Sequence, residues 1–421
     1  MAEQNQHIAT EGNTCVIVGA SHGGVNAAFA LRKAGWEGQI QLIDSDPRLP
    51  YHRPPLSKAY LMAGDEKQAL LKPEASYQKA NVQLRLGETV LRLDREAKQI
   101  HLVQGEPQSY DALILATGAR PFLPPISGLD QVKNQFVLRT AEDAAQIRAA
   151  ASTTGDKRVV IIGGGYIGLE VAASLRTLGA EVCLLEREDR ILARVTAPEL
   201  SDFVETYHRQ QGVAIHTSQQ ITQVVPQGAG CEVHTASGNN YVADVLVVGC
   251  GILVNQSLAE EAGLVVGDGI QVDAACRTSD PNIFAIGDCS WHHNPQYDRW
   301  LRLESVQNAA DQAKVAAAAI CGKEAKYDAI PWFWSDQFDL KLQMVGLSQG
   351  YDQLTIRRDP EKETSLSLWY FRGEELLAVD AVNQPKAYVL GTRFLRNRQL
   401  VNQQMLADTS VPLHPKYLLV S

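Results

Sequence analysis

Residues 159–175, with the sequence VVIIGGGYIGLEVAASL, carry the strongest structural signal in this chain. An apolar run typical of a β-strand leads into a glycine turn, and the turn opens a helix predicted over 169–178. The glycines at 163, 165 and 168 form a G-x-G-x-x-G pattern, and the next predicted strand, 181–185, ends at Glu186, 23 residues after Gly163. The first glycine permits the turn, the second admits a pyrophosphate, and the third lets the helix pack on the strand. The stretch therefore predicts a dinucleotide site at the helix N-terminus.

A similar arrangement occurs 144 residues earlier, in the sequence TCVIVGASHGG of residues 14–24. It predicts a strand over 15–18, a helix over 25–35 and a second strand over 40–43 that ends at Asp44. Asp44 stands 25 residues after Gly19, and Ser21 takes the position of the second glycine. Serine is small and still allows close approach to a phosphate. The duplication therefore predicts a second dinucleotide site, with Asp44 as its ribose-binding acid.

The rest of the chain completes this architecture. The runs ALILATGAR (112–120), VLVVGCG (245–251) and IFAIGD (283–288) resemble parallel strands that end in tight connections, and an alanine-rich helix is predicted over 305–320. Short β-type segments after Pro331 predict a separate, mostly antiparallel domain. The predicted fold class is α/β, with two Rossmann-like nucleotide-binding domains and a C-terminal α+β domain.

Composition excludes several classes of protein. The chain has 421 residues, 45% hydrophobic and 21% charged, which predicts two or three domains of an ordinary globular protein. A net charge of −9 argues against a nucleic-acid partner that covers the surface. The seven cysteines are dispersed, with the nearest pair 13 residues apart, which predicts reduced thiols and no metal site. The polar N-terminus and the lack of a long apolar run predict a cytoplasmic enzyme without a membrane segment.

Two dinucleotide sites in one chain suggest two cofactors, one that stays bound and one that exchanges. FAD with a nicotinamide nucleotide is the economical combination, because a hydride can pass between them. Glu186 would repel a 2′-phosphate, which favours NADH over NADPH. Arg187 and Arg190 follow at once and could bind that phosphate, so NADPH stays open.

Several segments resemble a known family. The chain resembles the FAD-dependent ferredoxin reductases of bacterial oxygenase systems, in the glutathione-reductase-like structural class. The match runs in order over essentially the whole sequence, and its YDRW and PWFWSDQ segments are narrower than any glycine motif. The segments that carry it are residues 48–61, 116–121, 138–144, 159–175, 194–203, 278–289, 297–309, 331–352 and 377–385.

The resemblance implies a domain plan and a set of cofactor contacts. The FAD domain would comprise residues 1–120 and 249–328, the NAD domain 121–248, and a flavin-covering domain 329–421. Contacts with NAD are expected at Gly163, Gly165, Tyr166, Ile167, Gly168, Glu170 and Glu186. Contacts with FAD or its surroundings are expected at Gly19, Ser21, Gly23, Gly24, Asp44, Ser45, Arg53, Lys58, Val90, Ala116, Thr117, Gly118, Arg139, Gly251, Gly287, Asp288, Ser305, Val306 and Trp334.

Four of these positions carry particular expectations. Family members usually have an acid where Ser45 stands and a glycine where Asp44 stands, so either residue could hold the FAD ribose. Lys58 and Glu170 are the candidate catalytic residues, and the resemblance implies that they pair when nicotinamide binds. A cation at Lys58 could stabilise the anionic reduced flavin. Hydride would pass from NADH to flavin N5, with no side chain acting as acid, base or nucleophile.

The implied partner is a [2Fe–2S] ferredoxin that feeds a haem-thiolate monooxygenase or a Rieske-type oxygenase. Such partners are typically acidic, so a local basic patch is needed on this net-negative protein. The chain is expected to be a monomer or a weak dimer. The adjacent histidines 292 and 293 are interpreted as loop residues. Candidates for the docking patch are Arg393, Arg396 and Arg398, and Arg299 and Arg302 beside Trp300, while Trp332, Phe333 and Trp334 are expected near the flavin.

Other flavoproteins share this fold. A disulfide reductase needs a dithiol beside the flavin, and the sequence has no close cysteine pair. A flavin NADH oxidase or peroxidase would use a single cysteine early in the chain, and none lies between Cys15 and Cys183. The alternative functions are such an oxidase or a redox-sensing flavoprotein related to apoptosis-inducing factor.

Overall fold

The computed structural model describes residues 12–64, 69–151 and 157–420. The polar N-terminal stretch 1–11, on which part of the predicted location depends, lies outside these residues. The chain divides into two compact units. Unit 1 draws on residues 1–53, 69–120 and 253–331, and unit 2 on 54–68, 121–252 and 332–421. The predicted division into three domains stays a prediction.

Helices and strands are numbered in chain order. The helices are α1 His22–Ala34, α2 Ala59–Ala63, α3 Glu74–Lys79, α4 Ala141–Ala151, α5 Tyr166–Thr177, α6 Pro198–Gln210, α7 Ser257–Glu261, α8 Val306–Ile320, α9 Pro385–Arg396, α10 Gln403–Ala407 and α11 Pro415–Leu418. Single 3₁₀ turns occupy Pro54–Ser57, Leu129–Gln131 and Gly287–Cys289. The strands are β1 Thr14–Val18, β2 Gln39–Asp44, β3 Val82–Leu86, β4 Val90–Asp94, β5 Gln99–Leu102, β6 Gln108–Ser109, β7 Ala112–Leu115, β8 Ala119–Pro121, β9 Gln135–Phe136, β10 Arg158–Ile162, β11 Glu181–Leu185, β12 Ala214–His216, β13 Ile221–Gln227, β14 Gly230–Thr235, β15 Asn240–Ala243, β16 Val245–Val248, β17 Ile252–Val254, β18 Val266–Gly267, β19 Gly269–Val272, β20 Ile283–Ala285, β21 Ser290–Asn294, β22 Arg299–Leu301, β23 Trp332–Gln337, β24 Leu340–Gly346, β25 Gln353–Arg358, β26 Leu366–Arg372 and β27 Glu375–Val382.

Unit 1 is built on a parallel sheet with the strand order β20-β7-β1-β2-β3. Strand β1 is apolar and buried from residue 15 to residue 18 because both of its faces are covered there. Cys15 and Ile17 join the core that α1 and α8 form on one face, while Val16 and Val18 join the core on the other. The dinucleotide motif of the first half thus begins on a fully buried strand.

Unit 2 contains a second parallel sheet, in the order β12-β11-β10-β16-β9, which carries the other glycine motif. The same unit contains an antiparallel sheet in the order β23-β24-β27-β26-β25. Helix α9 packs closely on that sheet, since a Cβ at Gly391 would lie 2.6 Å from Cγ2 of Val379. The predicted antiparallel character of the C-terminal region is confirmed.

Some element boundaries differ from those predicted. Both motif helices begin three residues early, at His22 and Tyr166, because the last turn of each glycine motif is already helical. Glycine's low helix propensity hides these starts in the sequence. The interpretation of His292 and His293 as loop residues is wrong, since both lie on β21, which pairs with β22 in an antiparallel hairpin. The predicted strand Glu181–Leu185 is confirmed to the residue.

Within the part of the chain that the structure describes, none of the helices is long and apolar enough to cross a membrane.

Candidate active site

The glycine loop of unit 1 leaves no room for side chains at two positions. Gly19 has a φ of +106°, and a Cβ there would lie 2.2 Å from the carbonyl oxygen of Ala116. A Cβ at Gly24 would lie 1.8 Å from the carbonyl oxygen of Gly19. Ser21 caps α1 without a side-chain hydrogen bond to the first turn. The loop therefore brings bare backbone N–H groups to the start of the helix, the arrangement that binds a pyrophosphate.

The loop of unit 2 repeats this geometry. Gly163 has a φ of +112°, and a Cβ there would lie 2.4 Å from the carbonyl oxygen of Gly249. A Cβ at Gly168 would lie 2.0 Å from the carbonyl oxygen of Gly163. At Gly165 a Cβ would meet no protein atom within 4 Å. The second glycine thus borders open space that fits a phosphate, which also explains why Ser21 is accommodated at the equivalent place in unit 1.

Each loop is held by the acid that ends the next strand. In unit 1, Oδ2 of Asp44 accepts from the N–H of Ala20 at 2.5 Å. In unit 2, Oε2 of Glu186 accepts from the N–H of Gly164 at 2.5 Å. Both acids also accept, through their other oxygen, from the N–H two residues further on, at 2.8 and 2.9 Å. Asp44 is therefore the structural counterpart of Glu186, while Ser45 is exposed beside it.

Other predicted FAD residues meet the loop at the carboxyl edge of the unit 1 sheet. Residues 116–118 follow β7, and Gly287 and Asp288 follow β20. Because these strands and β1 are parallel, their carboxyl ends lie at the same edge, where open α/β sheets bind ligands. Gly23 lies at this edge as well, since a Cβ there would be 3.6 Å from Cβ of Ala116 and 3.5 Å from the side chain of Ile286.

The remaining predicted residues of unit 1 are partly engaged by the protein. Ser305 caps α8, and its Oγ accepts from the N–H of Asn308 at 3.1 Å, so Val306 is the first residue of that helix. Arg53 donates to the hydroxyl of Tyr51 at 3.0 Å. Val90 is half-buried at the start of β4.

In unit 2, Gly251, Arg139 and Trp334 occupy separate segments. Gly251 has a φ of +109°, and its carbonyl accepts from the N–H of Phe122 at 2.9 Å. The N–H of Arg139 donates to Oδ2 of Asp143 at 2.9 Å, just before α4 begins. Trp334 lies on β23, within 5.6 Å of the ring of Trp332. The same strand reaches the start of α5, since the rings of Phe333 and Tyr166 are 5.0 Å apart.

Lys58 and Glu170 lie together in unit 2. Glu170 lies one turn into α5 and is 2% exposed, and its Oε2 accepts from Nζ of Lys58 at 2.6 Å. Oγ of Ser57 donates to the same oxygen at 2.5 Å, and Oγ of Ser335 donates to Oε1 at 2.6 Å. Lys58 stands at the start of α2 and also donates to the carbonyl of Pro54 at 3.1 Å. A buried carboxylate with three donors thus fixes one ammonium group in place.

Sequence reasoning missed the residues that hold these groups. Ser57 and Ser335 lie inside the family-like segments 48–61 and 331–352, but neither has a motif of its own. Gln312 was also missed; its Oε1 accepts from the N–H of Gly287 and from Oγ of Ser290, both at 2.8 Å. Asn255 and Thr117 bond to each other in a similar way. The hydroxyl of Thr117 donates to the backbone carbonyl of Asn255 at 2.6 Å, and the side-chain amide of Asn255 donates to the backbone carbonyl of Thr117 at 2.9 Å. Buried polar partners from distant parts of the sequence leave no local signal.

The two arginines beside Glu186 are engaged by the protein. Arg187 is exposed and pairs with Glu188 at 2.7 Å. Arg190 donates to Oγ of Ser201 at 2.6 Å and to the carbonyl of Ala193 at 2.8 Å. Both guanidinium groups thus have partners within the protein.

All seven cysteines are free thiols. Burial raises the pKa of each of them, to about 11 for Cys231 and Cys250 and to about 12 for Cys183. A raised pKa disfavours the thiolate, which is the reactive form in disulfide and peroxide chemistry.

Comparison with known proteins identifies relatives along nearly the whole chain. Residues 13–313 match the pyridine nucleotide-disulphide oxidoreductase family, and residues 332–416 match the reductase C-terminal family. Putidaredoxin reductase from Pseudomonas putida is 43% identical over 404 residues, which cover 94% of this chain and 95% of the relative. A ferredoxin–NAD(P)+ reductase from a Sphingomonas species is 41% identical over 403 residues, covering 94% and 96%. The structure also matches the reductase in the crystal structure of the covalent putidaredoxin reductase–putidaredoxin complex, with a TM-score of 0.92, 41% identity and coverage of 96% of this chain and 98% of that one.

Proposed function

The chain belongs to the pyridine nucleotide-disulphide oxidoreductase family, in its ferredoxin reductase branch, and from this premise we propose that it carries electrons from NADH to a [2Fe–2S] ferredoxin. When bound, FAD supplies a flavin that accepts a hydride and passes its electrons on one at a time. The observation that carries the proposal is the pair of glycine loops with the same close approaches, each bonded to the acid at the end of the next strand.

The two loops divide the binding work. In unit 1, the N–H groups at the start of α1 would bind the FAD pyrophosphate, and Asp44 would accept hydrogen bonds from the ribose. In unit 2, the start of α5 and Glu186 would do the same for NADH.

We also propose the three functional domains predicted from the sequence, which are 1–120 with 249–328, 121–248 and 329–421. The boundary between the two family matches, near residue 331, supports the last of these domains.

Lys58 and Glu170 supply fixed charge. The position of Glu170, one turn beyond Tyr166 on the helix that would bind NADH, supports a role at the nicotinamide end. Glu170 holds the Lys58 ammonium at 2.6 Å, so the cation needs little reorganisation when negative charge develops on a neighbouring group. Positioning and electrostatics therefore account for the contribution of these side chains, with no proton transfer assigned to them.

NADH is the preferred nucleotide in this proposal. The Glu186 carboxylate, which follows β11 and bonds to the loop at Gly164, would repel a 2′-phosphate. The bonds of Arg187 to Glu188 and of Arg190 to Ser201 and Ala193 support the same preference.

The exposed residues Arg393, Arg396 and Arg398 are the proposed docking patch for an acidic ferredoxin. The other basic candidate is weaker, because Arg302 already pairs with Asp268 at 3.2 Å and with Glu304 at 2.6 Å. The ferredoxin would feed a haem-thiolate monooxygenase or a Rieske-type oxygenase.

The proposed location is the cytoplasm, which the seven free thiols support. A monomer or weak dimer is proposed for the oligomeric state.

The first experiment measures NADH-driven reduction of cytochrome c with and without a [2Fe–2S] ferredoxin. A rate that depends strongly on the ferredoxin supports the proposal. Equal rates, with most electrons passing to oxygen, would replace it by an NADH oxidase or a redox-sensing flavoprotein. The raised pKa values of the cysteines already disfavour an oxidase that works through a thiol.

Replacement of Lys58 by Ala tests the role of the fixed cation. Loss of the ammonium leaves the buried carboxylate without its counter-ion, and we expect flavin reduction by NADH to slow by about ten- to a hundredfold. Lys341→Ala, which removes an exposed lysine on β24, is the control and should leave the rate unchanged. An unaltered rate in Lys58→Ala would show that the cation has no part in the reaction.

A further inference from the structure

A buried chain of hydrogen bonds continues from Glu170 away from Lys58. Ser335, on β23, donates to Oε1 of Glu170 at 2.6 Å. Nε2 of Gln337 donates to Oγ of Ser335 at 3.0 Å, and Oε1 of Gln337 lies 2.9 Å from Nε2 of His208 on α6. Ser335, Gln337 and His208 have no exposed surface. Three fully buried side chains thus connect helix α6 to the carboxylate that holds Lys58.

All of these bonds have the same direction. The Gln337 carbonyl accepts from His208, the Gln337 amide donates to Ser335, and the Ser335 hydroxyl donates to Glu170. Burial lowers the pKa of His208 to about 4, so its ring is neutral and the bond to Gln337 fixes its proton on Nε2. A chain of donors with one direction polarises each bond toward its end, which here is a carboxylate.

The turn that follows Gln337 is held by the same helix. Phe338, between β23 and β24, has a φ of +54°, a left-handed conformation that is unusual for a bulky residue. Its ring packs edge-on against His208 at 5.1 Å and against Tyr207 at 6.3 Å. The Tyr207 hydroxyl donates to Oδ1 of Asp339 in the same turn. Helix α6 therefore fixes the end of the hairpin, and through it the register of Gln337 and Ser335.

We propose that Ser335, Gln337 and His208 are positioning residues that hold the Glu170 carboxylate, and through it the Lys58 ammonium, in the orientation that NADH oxidation requires. The inference rests on the proposed function and adds residues to it. Oε2 of Glu170 keeps two donors, Lys58 and Ser57, but Oε1 has only the Ser335 hydroxyl among the bonds described above. Loss of that hydroxyl would leave a buried charged oxygen unsatisfied, so the carboxylate would turn and carry Lys58 with it.

The test is a double-mutant cycle on the FAD-loaded protein with the variants Ser335→Ala, Glu170→Ala and Ser335→Ala/Glu170→Ala. The rate of flavin bleaching by NADH is measured anaerobically by stopped flow, and the dissociation constant for NAD+ by calorimetry. Ser335→Ala should slow bleaching about tenfold. Its NAD+ dissociation constant should change less than about twofold, since no contact with the glycine loop is lost. In the Glu170→Ala background, the same substitution should change the rate less than about twofold, because its target is absent.

Two further variants separate positioning from general loss of structure. Ser335→Thr keeps the hydroxyl and should restore most of the rate. Ser367→Ala removes an equally buried serine on β26 of the same sheet, whose Oγ accepts from Nε1 of Trp369 at 3.0 Å. That variant should match wild type in the bleaching rate. Gln337 is one hydrogen bond further from Glu170 than Ser335 is. Gln337→Met should therefore also slow bleaching, but by a smaller factor than Ser335→Ala does.

The outcomes also separate this inference from the proposed function. Equal effects of Ser335→Ala in both backgrounds, or equal rates in Ser335→Ala and wild type, would overturn the positioning role while leaving the reductase intact. Failure of NADH to bleach the wild-type flavin would overturn the proposed function. In that case the midpoints of denaturant unfolding of the same four proteins test whether Ser335 and Glu170 are coupled. Additive losses of stability would overturn the coupling, whereas a smaller loss for Ser335→Ala in the Glu170→Ala background would support it.

Discussion

At the scale of single residues, the two halves of the chain hold their glycine loops with the same kind of bond. Asp44 and Glu186 each accept from two backbone N–H groups, one in the glycine loop and one two residues further along the chain. The carboxylate of each acid therefore supports its loop, and in the proposed function it also binds the ribose. A substitution that removes only the charge can separate these two roles.

Glu186→Gln is such a substitution. The amide oxygen of glutamine can still accept from the N–H of Gly164, so the contact with the loop is kept, while the amide nitrogen replaces the acceptor of the Glu188 N–H and the repulsion of a 2′-phosphate is lost. We expect the ratio of kcat/KM for NADH to that for NADPH to fall at least about tenfold, the equivalent of about 1.4 kcal/mol. Steady-state assays with both nucleotides measure it. An unchanged ratio would mean that other residues determine the preference.

A second buried acid lies outside the proposed reaction. Asp380, on β27, is 4% exposed, and its Oδ2 accepts from Tyr370 at 2.6 Å and from Thr196 at 2.7 Å. Burial raises its pKa from 3.8 to about 6, although both hydroxyl donors act in the opposite direction. The folded protein therefore binds this proton more tightly than the unfolded chain does.

Asp380→Asn should remove a pH dependence of stability. A raised pKa in the folded state stabilises the protein fully below about pH 3.8, and this stabilisation is lost as the pH rises through about 6. Relative to Asp380→Asn, the wild-type free energy of unfolding should fall by about 2 kcal/mol between pH 4 and pH 7. Denaturant unfolding at several pH values measures this difference. Parallel curves for the two proteins would show that Asp380 does not titrate in this range.

At the scale of elements, each motif helix owes its position to two contacts between backbones. The third glycine of each motif lies against the carbonyl of the first, and the first lies against the end of a neighbouring strand. At the middle glycine of the second motif, Gly165, a Cβ would meet no protein atom within 4 Å. Packing and binding are thus assigned to different glycines within a six-residue loop.

Alanine substitutions in the loops should distinguish these assignments. Gly168→Ala must displace the backbone of Gly163, so we expect a loss of about 1–3 kcal/mol in stability together with weaker NAD+ binding. Gly165→Ala meets no protein atom and should weaken NAD+ binding with the stability unchanged. Gly24→Ala is the equivalent of Gly168→Ala in unit 1 and should lower the FAD content instead. Unfolding curves, calorimetry with NAD+ and flavin absorbance measure the three effects; equal stability of Gly168→Ala and wild type would contradict the packing role.

At the scale of the whole molecule, the net charge of −9 sets a constraint on any acidic partner. General electrostatic attraction is excluded, so recognition requires a local cluster of opposite sign. The end of α9 and the residues after it provide one, with Arg393, Arg396 and Arg398 all exposed.

Charge reversal tests this cluster. Arg393→Glu/Arg396→Glu should raise the KM for an acidic [2Fe–2S] ferredoxin by about tenfold at low salt, and the effect should shrink as salt screens the charges. Flavin reduction by NADH should be unchanged. Arg358→Glu/Arg372→Glu reverses two other exposed arginines of the C-terminal sheet and is the matched control. Equal effects of the two reversals would indicate net charge rather than a docking patch.

Much of this architecture could be predicted from the sequence, because it depends on local patterns. A strand, a glycine turn, a helix and a terminal acid follow one another within about 30 residues, which is the length of a βαβ unit. The two parallel sheets and the strand Glu181–Leu185 were therefore predictable. The predicted starts of the two motif helices were three residues late because glycines in the first turn have low helix propensity.

The surroundings of Glu170 were not predictable in this way. Its partners Ser57, Lys58 and Ser335 are separated from it by 113, 112 and 165 residues, and a buried hydrogen bond imposes no periodicity on the sequence. The family resemblance paired Lys58 with Glu170, but it did not indicate Ser335, Gln337 or His208. Short-range geometry is encoded where it occurs in the chain, whereas the satisfaction of a buried charge depends on which distant side chains folding brings within hydrogen-bonding distance.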